Sequence, residues 1–133
     1  MEGVQENVQQ PDHATIVHID GVRFGDEENE GRVKLTTTEV SGEHAGTNIS
    51  MWCNMKNKDG LLSPAMKLYQ ILYAGHGEGW TKKFSTLEEA VQALRGKYIA
   101  GTSVPKDVQK GGVGNNLKDG TIMPVPEDFE PAA

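Results

Sequence analysis

At 133 residues with 36% hydrophobic content, the chain is sized for one compact domain around a single core rather than for two. No apolar run approaches the roughly 18 to 20 residues that span a bilayer, and the opening MEGVQENVQQPDH lacks the basic start and apolar stretch of a signal peptide, so a cytoplasmic protein without membrane contact is expected. The net charge of -6 counts against a nucleic-acid partner only in bulk: residues 1–30 carry eight acids against Arg23 and residues 124–133 three against none, whereas residues 31–123 hold twelve Lys and Arg against eight Asp and Glu.

Residues 1–12 are polar and Gln-rich and are expected to be flexible, leaving a domain over residues 13–126 and an acidic tail over residues 127–133. HATIVHIDGVRF, from His13, sets Ile16, His18 and Asp20 against Val17 and Ile19 and reads as a first strand, followed by the turn GDEENEG. RVKLTTTEV is a second strand, with Val33, Leu35, Thr37 and Glu39 facing one way and Arg32, Lys34, Thr36 and Thr38 the other. SGEHAG is short enough for a hairpin, so a third strand pairs antiparallel with the second. In that third strand Thr47, Ile49, Met51, Cys53 and Met55 suit a core, while Asn48, Ser50, Trp52, Asn54 and Lys56 face away from it.

SPAMKLYQILYAG reads as an amphipathic helix capped by Ser63, with Pro64 in its first turn and Gly75 as its stop. HGEGWTKKFS is a loop carrying Trp80, Lys82 and Lys83. A second helix starts at Thr86, where Glu89 completes a capping box, and buries Leu87, Ala90, Val91 and Leu94 before stopping at Gly96. KYIAGTSV is a further strand, KGGVGNNLKDG a glycine-rich loop or weak strand, and TIMPVP an extended piece; PEDFEPAA has little to pack. The order is three strands, two helices, two strands.

Little in this pattern supports catalysis. His13, His18, His44 and His76 are too scattered for a metal-ligand spacing with one another or with Cys53, and no metal or other cofactor is expected. Cys53, on the apolar face of its strand, reads as a buried structural thiol. GHGEGW and GGVGNN lack the strand-to-helix setting and the Lys-Ser/Thr of a nucleotide loop, and Glu88 and Glu89 suit the dipole of a first helical turn. What remains is aromatic residues interleaved with cations on extended segments. Such a surface holds single strands, because bases stack on aromatic faces while Lys and Arg follow the phosphates. If the polar faces of the second and third strands coincide, Arg32, Lys34, Trp52 and Lys56 share one surface. Alone, Trp52 and Tyr98 each admit two readings, a stacking platform or a ring covered by another element.

The sequence EVSGEHAGTNI resembles the E-x-x-G-x-x-x-G-x-x-I signature of small bacteriophage proteins related to single-stranded-DNA-binding proteins. KLYQILYAGHG, LEEAVQALRGKYIAGTSV and GNNLKDGTIMPVPE continue that pattern in the same order, over residues 32–126. The resemblance implies a mainly β fold with two helices, an OB-fold-like five-stranded barrel whose second and third strands bind oligonucleotides. It further implies a non-enzymatic single-stranded-DNA-binding protein acting in DNA replication or recombination in the host bacterial cytoplasm, compatible with a homo-oligomer. On that fold Arg32, Lys34, Trp52, Lys56, Trp80, Lys82, Lys83 and Tyr98 are the nucleic-acid-binding candidates. The acidic tail is similar to those that recruit replication or recombination proteins, although it ends in Pro-Ala-Ala without a terminal aromatic. The alternative is a phage protein-interaction module that uses the barrel against a host or virion protein.

Overall fold

The computed structural model describes residues 11–107 and 113–131. Five strands form one antiparallel sheet in the order β3-β2-β1-β4-β5. β1 spans His13–Phe24, β2 Arg32–Glu39, β3 Asn48–Asn54, β4 Tyr98–Asp107 and β5 Val113–Leu117, with α1 (Lys67–His76) and α2 (Leu87–Gln92) between β3 and β4. The two ends of the sheet, β3 and β5, approach one another. Lys106 of β4 crosses the gap, its amine donating to the Ser50 carbonyl of β3 at 2.6 Å. The sheet is therefore nearly closed, and the fold is a mainly β, OB-like barrel carrying two helices. Residues 1–10 of the expected flexible segment, residues 108–112 before β5 and residues 132–133 lie outside the described residues.

The interior follows from the period-two alternation of each strand. Val33 faces Cys53, Leu35 faces Met51 and Thr37 faces Ile49 across the β2–β3 ladder, and all six are buried. Thr37 is tolerated inside because its hydroxyl donates to the Ile49 carbonyl at 2.7 Å. α1 contributes Leu68, Ile71 and Leu72 to this core, and α2 with the turn after it contributes Ala90, Val91 and Leu94, with Leu87 packed against it. Each fully buried Leu or Ile contributes about 1.5–3 kcal/mol relative to exposure.

β1 breaks its own alternation. Its register against β2 slips between Ile19 and Gly21, a β-bulge that leaves Asp20 as the extra residue. Thr15, Val17 and Ile19 point inward before the bulge and Val22 after it, so Arg23 is turned to the outer surface opposite Lys34.

Both helices differ from expectation: α1 at its two ends, and α2 at its C-terminal end, which comes at Gln92 with a turn leading on to Gly96. Ser63 to Met66 forms a turn, with the Met66 N–H donating to the Ser63 carbonyl at 3.0 Å, and α1 begins only at Lys67. Gly75 does not stop α1. The helix runs on to His76, and Gly77 takes the positive φ of 89°. A Cβ at Gly75 would stand 2.9 Å from Leu94 Cδ2, so this glycine serves helix packing rather than termination. At α2 the Thr86 side chain accepts from the Glu89 N–H, as the capping pattern requires, while Glu89 accepts from Ser85.

Candidate nucleic-acid interface

The outer faces of β1, β2 and β3 form one surface. Its central row runs Arg23–Lys34–Trp52 straight across the three strands, and Arg32 pairs with Asn54 one step along. Trp52, on the polar side of β3, is half-buried. Two cations lie over it: the Arg23 and Arg32 guanidinia stand 5.7 and 5.3 Å from its ring centroid. Arg32 is also tethered by its Nη1, which donates to Asn29 Oδ1 at 3.0 Å. Each cation–π contact at such a site contributes about 0.5–1 kcal/mol.

Beside this row lies a groove of about 450 Å³, lined by Asp20, Gly21, Arg23, Lys34, Thr36 and Arg95. Its floor depends on Gly21, because a Cβ there would stand 2.6 Å from Thr36 Oγ1. Arg95 reaches the groove from the turn after α2. It is placed there by two backbone hydrogen bonds, Gly96 N–H to the Ile19 carbonyl and Ile19 N–H to the Lys97 carbonyl, both 2.8 Å. Neither Lys34 nor Arg95 enters an ion pair among the described residues. Both are available to an external anion.

Cations continue toward the β3–β5 seam. Lys106 is held over Ser50, and burial, together with the charges of Lys67 and Lys34, lowers the pKa of its amine. Lys67 bonds Asn116 Oδ1 at 3.2 Å and Asp119 Oδ1 at 2.9 Å. Trp52 and Lys67 share a smaller polar pocket of about 280 Å³ with Asp119.

Of the residues singled out from sequence, the structure brings Arg32, Lys34 and Trp52 together. Lys56 is exposed just beyond the end of β3. Trp80 is not on the surface: it is 7% exposed, belongs to the core and meets Tyr69 edge-on at 5.5 Å. Its indole N–H is buried without a hydrogen-bond partner. Lys82 and Lys83 are exposed near the helices, and Lys83 Nζ donates to the His76 carbonyl at 2.9 Å. Tyr98 lies on β4 between His18, 4.9 Å away, and Phe129 of the tail, 5.3 Å away. The tail thus has something to pack on, and Met123 bridges Ala100 just before it. Arg23, Arg95 and Lys106 were not among the sequence candidates. For Arg23 the misleading signal was the alternation itself, which without the bulge would have turned it inward.

At the far end of β1, the buried Glu39 accepts from His13 Nε2 at 2.6 Å, and the His13 ring lies 4.1 Å from His44. Burial disfavours the His13 imidazolium, but hydrogen bonds to the Pro11 carbonyl and Glu39 and the charges of Glu39 and Glu43 outweigh it, so its pKa is raised. Among the described residues no three His, Cys, Asp or Glu side chains are grouped to hold a metal ion, and no helix is long and apolar enough to cross a membrane. Cys53 is buried, which pushes its thiol up to about 11. In comparisons with known proteins, no family model, curated protein or solved structure matches the chain.

Proposed function

We propose that the barrel is a non-enzymatic single-stranded-DNA-binding protein, with the outer face of β1–β2–β3 as its binding surface. The observation that carries this reading is Trp52 standing in one cross-strand row with Arg23 and Lys34, beside a groove edged by Arg95. A flat aromatic ring takes a base on its face in exchange for a guanidinium that lies over it, and cations at strand spacing offer phosphates their charge; this combination holds single strands without reading sequence closely. A duplex keeps its bases stacked inside and cannot use Trp52. The resemblance to phage single-stranded-DNA-binding-like proteins points the same way and supplies the setting, replication or recombination in the bacterial cytoplasm. On the same reading the exposed Glu127, Asp128 and Glu130 are what the tail offers to replication or recombination proteins. The test is fluorescence anisotropy of labelled oligo(dT) with unlabelled duplex as competitor. Binding that a duplex of equal length fails to displace supports the proposal; equal displacement contradicts it.

A separate observation favours a second reading, the protein-interaction module. Phe24, Phe84 and Ala93 form a shallow apolar patch edged by Glu88 and Glu89. Absence of any oligonucleotide binding at low salt transfers the functional assignment to that patch.

A further inference from the structure

One groove residue has the wrong charge for a phosphate. Asp20 stands in the same groove as Arg23, Lys34 and Arg95, yet forms no ion pair with any of them among the described residues. Its partners are instead His18, whose Nδ1 lies 2.5 Å from Oδ1, and Thr38, whose hydroxyl donates to Oδ2 at 2.5 Å. These contacts fix the carboxylate in orientation and leave it 41% exposed. Burial raises the Asp20 pKa, but the hydrogen bonds from Thr38 and His18 and the His18 charge win, so the group is held ionised, below the usual carboxylate range. The bulge is what sets it there, since Asp20 is the extra residue between Ile19 and Gly21.

A fixed carboxylate repels the phosphate of a bound strand and accepts from hydrogen-bond donors on its bases. The four bases differ sharply in what they offer. Thymine has a single N–H between two carbonyls, whose lone pairs confront the carboxylate. Cytosine and adenine each set one amino donor beside a ring acceptor. Guanine alone presents two adjacent donors, the N1 hydrogen and the 2-amino group, matching two carboxylate oxygens as a guanidinium does. Resting on the single-strand reading of this face, we infer that Asp20 gives the groove a preference for guanine at the nucleotide seated beside Arg23 and Lys34.

The test is competition between short oligo(dT) strands carrying one internal dG, dI, dC or dA, read by displacement of labelled oligo(dT). A matched bidentate pair at a half-exposed site predicts about five- to tenfold tighter binding of the dG strand than of the all-dT strand. Inosine, which keeps the N1 hydrogen and lacks the 2-amino group, falls between them. In Asp20→Asn, whose amide offers one donor and one acceptor, the dG preference disappears while all-dT binding tightens, because the charge that repels phosphate is gone. The comparison of dG with dI in the wild-type protein needs no variant and stands even if Asp20→Asn folds poorly. Equal affinity for all strands, with oligo(dT) still bound, overturns the inference and leaves the binding face intact. A dG preference that survives Asp20→Asn also overturns it. No binding to any strand removes the underlying reading as well.

Discussion

Replacing Trp52 by Ala separates a stacking surface from a structural one, because the two roles are read by different measurements, affinity and stability. In the free protein its fixed partners are the Arg23 and Arg32 guanidinia at 5.7 and 5.3 Å. At about 0.5–1 kcal/mol each, losing both costs about 1–2 kcal/mol of stability, which a domain with a continuous core survives. Losing a stacked base costs about 1–3 kcal/mol of binding free energy, or about five- to 150-fold in Kd. The ring carries no charge and releases no counterions, so the salt dependence of log Kd should barely move, whereas Arg23→Ala or Lys34→Ala should each flatten it by about 0.7. Trp52→Phe, which keeps a smaller ring, should fall between wild type and Trp52→Ala. Anisotropy at several salt concentrations reads both quantities, and thermal melts read the stability. Trp80→Phe leaves Trp52 as the single reporter of the chain's two tryptophans and removes a buried indole N–H that has no partner, so quenching on binding can be assigned. If Trp52→Ala leaves affinity unchanged, or prevents folding, the stacking role is wrong.

Three further outcomes follow from the geometry. Gly21→Ala puts a Cβ 2.6 Å from Thr36 Oγ1, so it should weaken oligonucleotide binding more than Gly101→Ala, whose added Cβ would make only ordinary contacts, 3.5 Å from Leu117 Cδ2 and beyond; anisotropy of the two variants checks this. Because the His13 pKa is raised above its ordinary 6.5, the protonated pair with Glu39 stabilises the fold fully below that value and is lost as pH rises through the folded pKa. Thermal melts should therefore show stability falling from mildly acidic to alkaline pH, with a flatter profile in His13→Gln; an unchanged profile would count against the pair. Cys53, 2% exposed and with its thiol pushed up to about 11, should react with a thiol reagent such as DTNB only on unfolding, and rapid labelling of the folded protein would place it elsewhere.

Much of the barrel was legible because β2 and β3 alternate without interruption, so Val33, Leu35, Ile49, Met51 and Cys53 were assigned inward and Lys34 and Trp52 outward from period alone. The Thr86 cap was equally local and accepts from the Glu89 N–H as read, while the Glu89 carboxylate accepts from Ser85, one residue before the cap. Less legible was anything decided by a tertiary contact. Gly75 looks like a stop in sequence, yet its missing side chain is demanded by Leu94. Trp80 sits among lysines in a glycine-rich loop, and nothing local says that Tyr69 and the core will cover it. The candidate site suffered most from the bulge. A single inserted residue at Asp20 reverses the facing of Arg23, and no period-two count carried through β1 recovers it. Arg95 is invisible for a different reason, since its place depends on Ile19 bonding Gly96 and Lys97 across the fold.

The most direct measurement of the binding face is the salt dependence of oligo(dT) affinity for wild-type protein and for a variant with Arg23, Lys34 and Arg95 all changed to Ala. Each cation that neutralises a phosphate on a single strand contributes a slope of about 0.7 in log Kd against log salt, so the three together should account for about 2. The predicted result is a steep wild-type dependence that loses about that amount in the variant while the fold melts normally. Equal slopes in the two proteins, or no wild-type binding at low salt, would contradict the assignment of this face to single-stranded DNA.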